Sequence, residues 1–352
     1  MVLWPCGWRK EFVVNEKQIN KSPAVLVTGS TGFLGSKIVE ILMDRGFKVR
    51  AFVRRTSKLE KLKSLGVDIC VGDIADLDSM RPAFEGMDYI VHAAADTVGS
   101  VEGGRASTIQ GTENVLTLCK EYRVKKLVYI SSCSVYGLAD YKKGDVVTEE
   151  SSLERLPEAR GAYSNAKFQA EKVVLQAMAE NVCSIVCLRA GTIYGSGGEI
   201  YTPMMGFSLG RKIFLTIGDG RFILPLVYID NVADAVRAVL EKEESNGKVY
   251  NLIDPYQLTK KQYIKQLMKK IYPWALFINF PYTFLYMSVY FYEFLMKIIG
   301  KEPFLTRYRL ESSQKQVVYD GTKICRELDW VAPVSLDNAL NNVVENEKQR
   351  EN

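Results

Sequence analysis

Along the first half of the chain, short unbroken apolar runs alternate with longer stretches in which apolar residues recur at helical spacing. Ala24-Val-Leu-Val-Thr28 is such a run and stops at a glycine-rich turn. Phe33, Leu34, Ile38, Val39, Leu42 and Met43 then form an apolar stripe, interrupted by Lys37, Glu40 and Asp44, which predicts a helix. Lys48-Val-Arg-Ala-Phe-Val53 predicts a second strand, closing a strand–turn–helix–strand unit. A weaker helix follows from Lys58 to Leu65, and Asp68-Ile-Cys-Val71 predicts a third strand ending at Gly72-Asp73. Tyr89 to His92 and Lys126 to Ile130 read as strands four and five, separated by a helix from Ile109 to Tyr122. A helix from Ser164 to Ala179 leads to a sixth strand from Ser184 to Leu188. This alternation argues for a mostly parallel sheet covered on both faces, with right-handed crossovers.

After Arg189 the pattern changes. Gly- and Pro-rich loops appear, then a helix from Asn231 to Leu240 and a short strand from Val249 to Ile253. The expected division is an N-terminal extension (1–22), a dinucleotide-binding core (23–190) and a smaller substrate lobe (191–345) interleaved with the main sheet. The stretch from Ile271 to Tyr292 carries no charge and is broken by Pro273 and Pro281. Three readings stand for it: an apolar lid or core helix pair, a membrane-surface contact through 271–296 backed by Lys297 and Lys301, or a bilayer span.

Composition narrows the function classes. With 47% apolar residues, 25% charged ones and a net charge of +5, the chain reads as an ordinary folded protein without the basic stripe of a nucleic-acid binder. Its seven cysteines form no CxxC pair, which points to free thiols in a reducing, cytoplasmic setting. His92 is the only histidine, so no zinc site is expected. Met1 to Lys10 lacks the long apolar core of a signal peptide.

Candidate chemistry sits at two places. Gly29-Ser-Thr-Gly32-Phe-Leu-Gly35 occupies a strand-to-helix junction, where glycines permit the tight turn and the close approach of a pyrophosphate to the helix N-terminus. The second strand ends in Arg54-Arg55, where an NAD enzyme usually carries an acid; two guanidiniums suit a 2′-phosphate, so NADP is favoured over NAD. Asp73 follows the third strand and suits the adenine amino group. Tyr163 and Lys167 share one helix face, and a neighbouring ammonium favours the phenolate needed for proton transfer.

Together these residues resemble the extended short-chain dehydrogenase/reductase family, from about residue 24 to about residue 340. The resemblance is carried by Thr28 to Gly35, Gly72-Asp73, His92-Ala-Ala-Ala95, Ser131-Ser132 with Val135-Tyr-Gly137, Tyr163-x-x-x-Lys167 and Leu188 to Gly195. Ile229 to Ala235, Tyr250-Asn251 and Leu328-Asp-Trp-x-x-Pro333 complete the set. It implies a Rossmann doubly wound α/β sheet with a smaller C-terminal substrate lobe. Tyr163 would be the acid–base, Lys167 would bind the nicotinamide ribose and lower the tyrosine pKa, and Ser132, with Ser134 in reserve, would hold the substrate oxygen. Cofactor contacts would come from Gly29, Thr31, Gly32, Phe33, Leu34 and Gly35, from Arg54, Arg55, Asp73 and Ile74, and from Ala93, Ala94, Ala95 and Thr192. His92 would line the cofactor rather than catalyse. Asn114 would fix backbone near the active site, and Thr108 stands where the family often has asparagine.

Gly191-Thr192, in place of an asparagine, looks more like the 3β-hydroxysteroid dehydrogenase and dihydroflavonol reductase branches than the sugar-nucleotide epimerases. The implied activity is NADPH-dependent ketone/alcohol interconversion on an apolar or amphipathic substrate, by an enzyme that dimerises. The alternatives are a nucleotide-sugar 4-epimerase or dehydratase with bound NAD, and a non-enzymatic NADP-sensing or scaffold protein.

Overall fold

The computed structural model describes residues 22–96 and 104–351. The expected N-terminal extension, with Cys6, lies outside the described residues except for Ser22. β1 (Ala24–Thr28), α1 (Phe33–Asp44), β2 (Lys48–Val53), α2 (Glu60–Ser64), β3 (Asp68–Val71), α3 (Leu77–Phe84) and β4 (Tyr89–His92) open the fold. α4 (Gly111–Glu121), β5 (Lys126–Ser132), α5 (Ala162–Ala179) and β6 (Ser184–Ala190) continue it. Beyond them run β7 (Thr192–Tyr194), β8 (Gly206–Leu209), β9 (Ile213–Ile217), β10 (Leu226–Tyr228), α6 (Ile229–Glu241) and β11 (Val249–Leu252). β12 (Leu276–Phe280), α7 (Tyr282–Ile299), α8 (Arg307–Ser313), α9 (Thr322–Leu328) and α10 (Leu336–Glu351) follow.

Seven strands, all parallel, form the main sheet in the order β3-β2-β1-β4-β5-β6-β11. This is the doubly wound Rossmann sheet expected from the sequence. Strand alternation explains why its runs are apolar throughout: Val25 and Val27 face a layer of α1, α6 and α9, while Leu26 faces a layer of α3, α4 and α5. The order reverses between β1 and β4, which opens a crevice at their C-terminal ends.

A second core, around Tyr194, Phe214, Tyr263, Leu267 and Leu340, builds the smaller lobe. It includes the sheet β8-β9-β12. The 191–345 stretch is therefore shared: α6, β11 and α9 complete the main sheet and its cover, and the rest makes the lobe.

Three elements differ from the sequence reading. α3 was not expected; Asp76 caps it by accepting from Asp78 and Ser79, and only one short apolar face, Met80, Ala83 and Phe84, marks it. The helix expected from Ile109 begins instead as a π-helical turn, Gly104–Gln110. The charge-free stretch is neither helix pair nor span. Pro273 and Pro281 bracket a strand, β12, whose exposed Leu276 and Ile278 alternate with the half-buried Phe277, and a single helix follows. No helix among the described residues is long and apolar enough to cross a membrane.

The first turn is tight enough to require two of its glycines. Gly29 has φ +70°, and a Cβ there would sit 2.7 Å from the Ala94 nitrogen. A Cβ on Gly35 would overlap the Gly29 carbonyl oxygen. Gly35→Ala should therefore cost about 1–3 kcal/mol through overpacking; a urea midpoint equal to that of the unsubstituted protein would refute this packing.

Candidate active site

β5 ends in a single 3-10 turn, Cys133–Val135, and Ser132 caps it: its Oγ accepts from the Ser134 N–H at 3.1 Å. α5 runs alongside, so residues four apart on its face, Tyr163, Lys167 and Glu171, meet the end of that strand. Lys167 is buried, and its Nζ donates to the Ile130 carbonyl at 2.7 Å and lies 5.2 Å from the Tyr129 ring centroid. Burial lowers it from 10.5 to about 8. Burial raises the Tyr163 phenol, and the Ser132 hydroxyl facing it works the other way. The structure thus brings Ser132, Tyr163 and Lys167 together. Desolvation sets the direction for the phenol, opposite to the lowering that the family resemblance implied. The reserve residue Ser134 has a buried Oγ without a hydrogen-bond partner among the described residues.

A buried network underlies this set. The Arg189 guanidinium donates to Glu171 Oε1 at 3.0 and 2.7 Å, to the Tyr136 hydroxyl at 2.8 Å and to the Glu149 carbonyl at 3.0 Å. Ser131 Oγ donates to the other oxygen of Glu171. Tyr136 passes its proton toward Asn251 Oδ1 at 2.6 Å, and the Asn251 N–H donates to Glu149 Oε1 at 2.8 Å. The sequence reading missed Glu171 and Glu149. Glu171 was findable, since it lies four residues beyond Lys167 on the same helix face.

His92 is bonded at both ring nitrogens, by Thr28 Oγ1 at Nδ1 (2.7 Å) and Thr112 Oγ1 at Nε2 (3.0 Å). Thr112 donates its own proton to the Thr108 carbonyl at 2.6 Å, so Nε2 carries the imidazole proton and Nδ1 accepts from Thr28. Burial and the Lys167 charge hold the ring near pKa 3, so it stays neutral. Thr108 is buried and accepts from the Asp96 N–H at 2.9 Å.

The cofactor end fits a dinucleotide. α1 starts at Gly32 with no capping side chain and no acid in its first turn, so the helix N–H groups face an open crevice beside exposed Thr31 and Gly32. Phe33 and Leu34 are half-buried, and Ala93, Ala94 and Ala95 follow β4 on the far side of the Gly29 turn. Arg54 and Arg55 are exposed after β2, on a turn closed by Ser57 N–H to the Arg54 carbonyl at 2.9 Å. Asp73 is exposed and accepts from the Ala75 N–H at 2.9 Å. Ile74 is buried, and its carbonyl accepts from Asn114 Nδ2 at 2.9 Å. Asn114 therefore steadies the loop after β3, which carries Asp73 and Ile74. Thr192 is half-buried at the start of β7, its N–H bonded to the Pro225 carbonyl at 2.7 Å. Gly191 before it admits no side chain, because Pro225 O and Ile253 close on it.

A cavity of about 1000 Å³ opens between the Tyr141–Lys143 loop and the smaller lobe, lined by Lys142, Lys143, Asn279, Tyr282, Gln314 and Lys315 among others. Its walls do not include Ser132 or Tyr163. Behind it, buried Lys260 donates to Gln314 Oε1 at 2.6 Å and to the Ile217 carbonyl at 3.1 Å, and burial lowers it to about 7.

The model of the NAD dependent epimerase/dehydratase family matches residues 25–252. A 4-hydroxy-2-methyl-3-oxo-4-farnesyl-3,4-dihydroquinoline-1-oxide ketoreductase from Stigmatella aurantiaca is 27% identical, over 89% of this chain and 93% of its own. The N-acetyl-alpha-D-glucosaminyl-diphospho-ditrans,octacis-undecaprenol 4-epimerase of Escherichia coli O157:H7 is 24% identical, over 92% of this chain and 95% of its own. Among solved structures, the UDP-glucose 4-epimerase of Thermotoga maritima with UDP-glucose superposes with a TM-score of 0.72 at 22% identity, covering 94% of this chain and 100% of that one. That last likeness is one of fold.

Two outcomes are expected of the site. Because Lys167 titrates lower when folded than when unfolded, the native state binds fewer protons between about pH 8 and 10.5, and its share of stability rises with pH across that window. The unfolding free energy of the protein relative to a Lys167→Met variant should climb there; a flat difference would remove the buried ammonium. Glu171→Ala leaves the Arg189 charge buried and should cost about 3–5 kcal/mol in chemical denaturation, against little if the pair were solvated.

Proposed function

Because the chain belongs to the NAD dependent epimerase/dehydratase family and carries the NAD(P)-binding fold of short-chain dehydrogenase/reductases, we propose that it moves a hydride between a nicotinamide dinucleotide and a carbinol or carbonyl carbon of a small organic substrate. The observation that carries this is the assembly of Ser132, Tyr163 and Lys167 at the end of β5. When bound, the dinucleotide supplies the carbon that gives or takes the hydride. The N-terminus of α1 would hold the pyrophosphate, and Lys167, anchored on the Ile130 carbonyl, would present its remaining protons to a ribose hydroxyl. Ser132 donates to the substrate oxygen. Tyr163, a phenol at neutral pH, gives its proton to the alkoxide in the reductive direction and is left as the phenolate; in the oxidative direction that phenolate takes the proton of the substrate hydroxyl as the hydride leaves.

For the substrate, the reading with most support is a sugar carried on a diphosphate, oxidised at a ring hydroxyl and reduced again from the other face. The Escherichia coli relative is named for such a reaction, and Lys142, Lys143 and Lys315, beside Asp219 and Glu311, line the cavity between the two lobes. A second reading, reduction of a ketone on an amphipathic substrate, rests on the Stigmatella aurantiaca relative and on Gly191-Thr192. Exposed Arg54 and Arg55 support NADP for the ketone reductase, whereas the epimerase reading goes with bound NAD.

Tyr163→Phe should lower turnover by about a hundredfold or more while cofactor affinity stays near that of the unsubstituted protein; retained turnover overturns the mechanism. Arg54→Ala with Arg55→Ala should weaken NADPH binding by about tenfold to a hundredfold and leave NADH nearly unchanged in titration calorimetry. Equal losses for both cofactors would remove the NADP preference. NAD retained through purification, with conversion of UDP-glucose and no net cofactor oxidation, selects the epimerase over the ketone reductase.

A further inference from the structure

The outer face of the smaller lobe is apolar over two consecutive elements. The registers of β8-β9-β12 place Phe207, Leu215 and Ile278 in one cross-strand row and Leu209, Ile213 and Leu276 in the next. Phe214 and Phe277 stack on the opposite face, 5.0 Å apart, within the lobe's core, so the six-residue face points away from it. Leu209 and Leu276 are 63% and 56% exposed. α7 is inverted in the same way. Its buried residues are Leu285 and Val289, packed with Ile217 and Leu310, whereas Phe284, Met287, Phe291, Phe294 and Ile298 follow at helical spacing with exposures between 55% and 65%. Trp274 (94% exposed) precedes the strand and Phe304 (86%) follows the helix. A face of this size on a soluble protein marks an interaction surface.

The charges around it indicate what covers it. From 207 to 212 and from 269 to 304 the chain carries Arg211, Lys212, Lys269, Lys270, Lys297 and Lys301, all exposed, against Glu293 and Glu302. Glu293 is occupied by Arg307 at 2.6 Å. The cations flank the ends of the apolar elements and interrupt them only once, at Lys297. A two-fold contact with a second copy would set these like charges against each other. An anionic bilayer supplies both an apolar interior and a negatively charged surface.

We propose that this face docks on an anionic lipid surface, with the β12 row and the α7 stripe at the headgroup–acyl boundary and the six cations among the headgroups. The full chain should float with vesicles of phosphatidylcholine and phosphatidylglycerol, far less with phosphatidylcholine alone, and less as salt is added. Lys269→Gln with Lys270→Gln should weaken partitioning about fivefold per lost cation. Phe291→Gln with Phe294→Gln should abolish it, and Val71→Gln, on the main sheet's edge strand, should change nothing. Brominated acyl chains should quench a fluorescence component that disappears in Trp274→Phe, a reading made on the otherwise unsubstituted chain. Unchanged melting and cofactor affinity show that the variants are folded. Absence of binding to the mixed vesicles, or equal binding of the Phe291/Phe294 variant, overturns the proposal. So does a dimer that the same variant dissociates while vesicles capture nothing, which assigns the face to a second copy.

Discussion

The Glu171–Arg189 pair is the constraint on which the catalytic end depends. Both side chains are almost fully buried, so each charge has lost its water, and Coulomb attraction alone does not recover that loss. What makes the burial tolerable is completeness. Ser131, Tyr136 and the Glu149 carbonyl take up the remaining donors and acceptors, and Asn251 extends the network to β11. A fully satisfied charged seam accepts one arrangement of its partners. It therefore fixes α5 against β5 and β6, and with them the relative positions of Ser132, Tyr163 and Lys167.

The sheet was legible from the sequence because a buried parallel strand and an amphipathic helix differ in period. β1, β2, β3 and β4 coincide with their apolar runs to the residue. The glycine turn was legible because only glycine tolerates the approach of Ala94 and of the turn's own carbonyl. The network was not, since a charged residue in a helix reads as solvent-facing until its partner is known, and Arg189 lies 18 residues from Glu171 in sequence. β12 was misread for a related reason. A short apolar run does not distinguish strand from helix, and the bracketing prolines were read as breaks in a helix, not as the limits of a strand. The tyrosine pKa shows a further limit: residue types give the sign of a charge effect but not the desolvation that opposes it.

The two lobes carry different chemistry. The main sheet offers backbone N–H groups and a neutral histidine near the crevice between β1 and β4, and α5 brings a buried lysine to the end of β5. The smaller lobe offers aromatic surface and one wall of the cavity that it shares with the Tyr141–Lys143 loop.

The seventh strand of the main sheet, β11, is separated from β6 by the first segment of the smaller lobe, and α6 covers a layer that α1 began. During synthesis, then, the first six strands emerge with β6 as an open edge and an uncovered apolar layer, and they wait for more than fifty further residues before closure. Contacts this distant in sequence slow folding and leave the nascent half exposed to mispairing. A fragment ending at Ala190 would keep that exposure permanently, so the unit that can be expressed, or swapped between relatives, is the whole chain through β11 and α9 rather than its nucleotide-binding half.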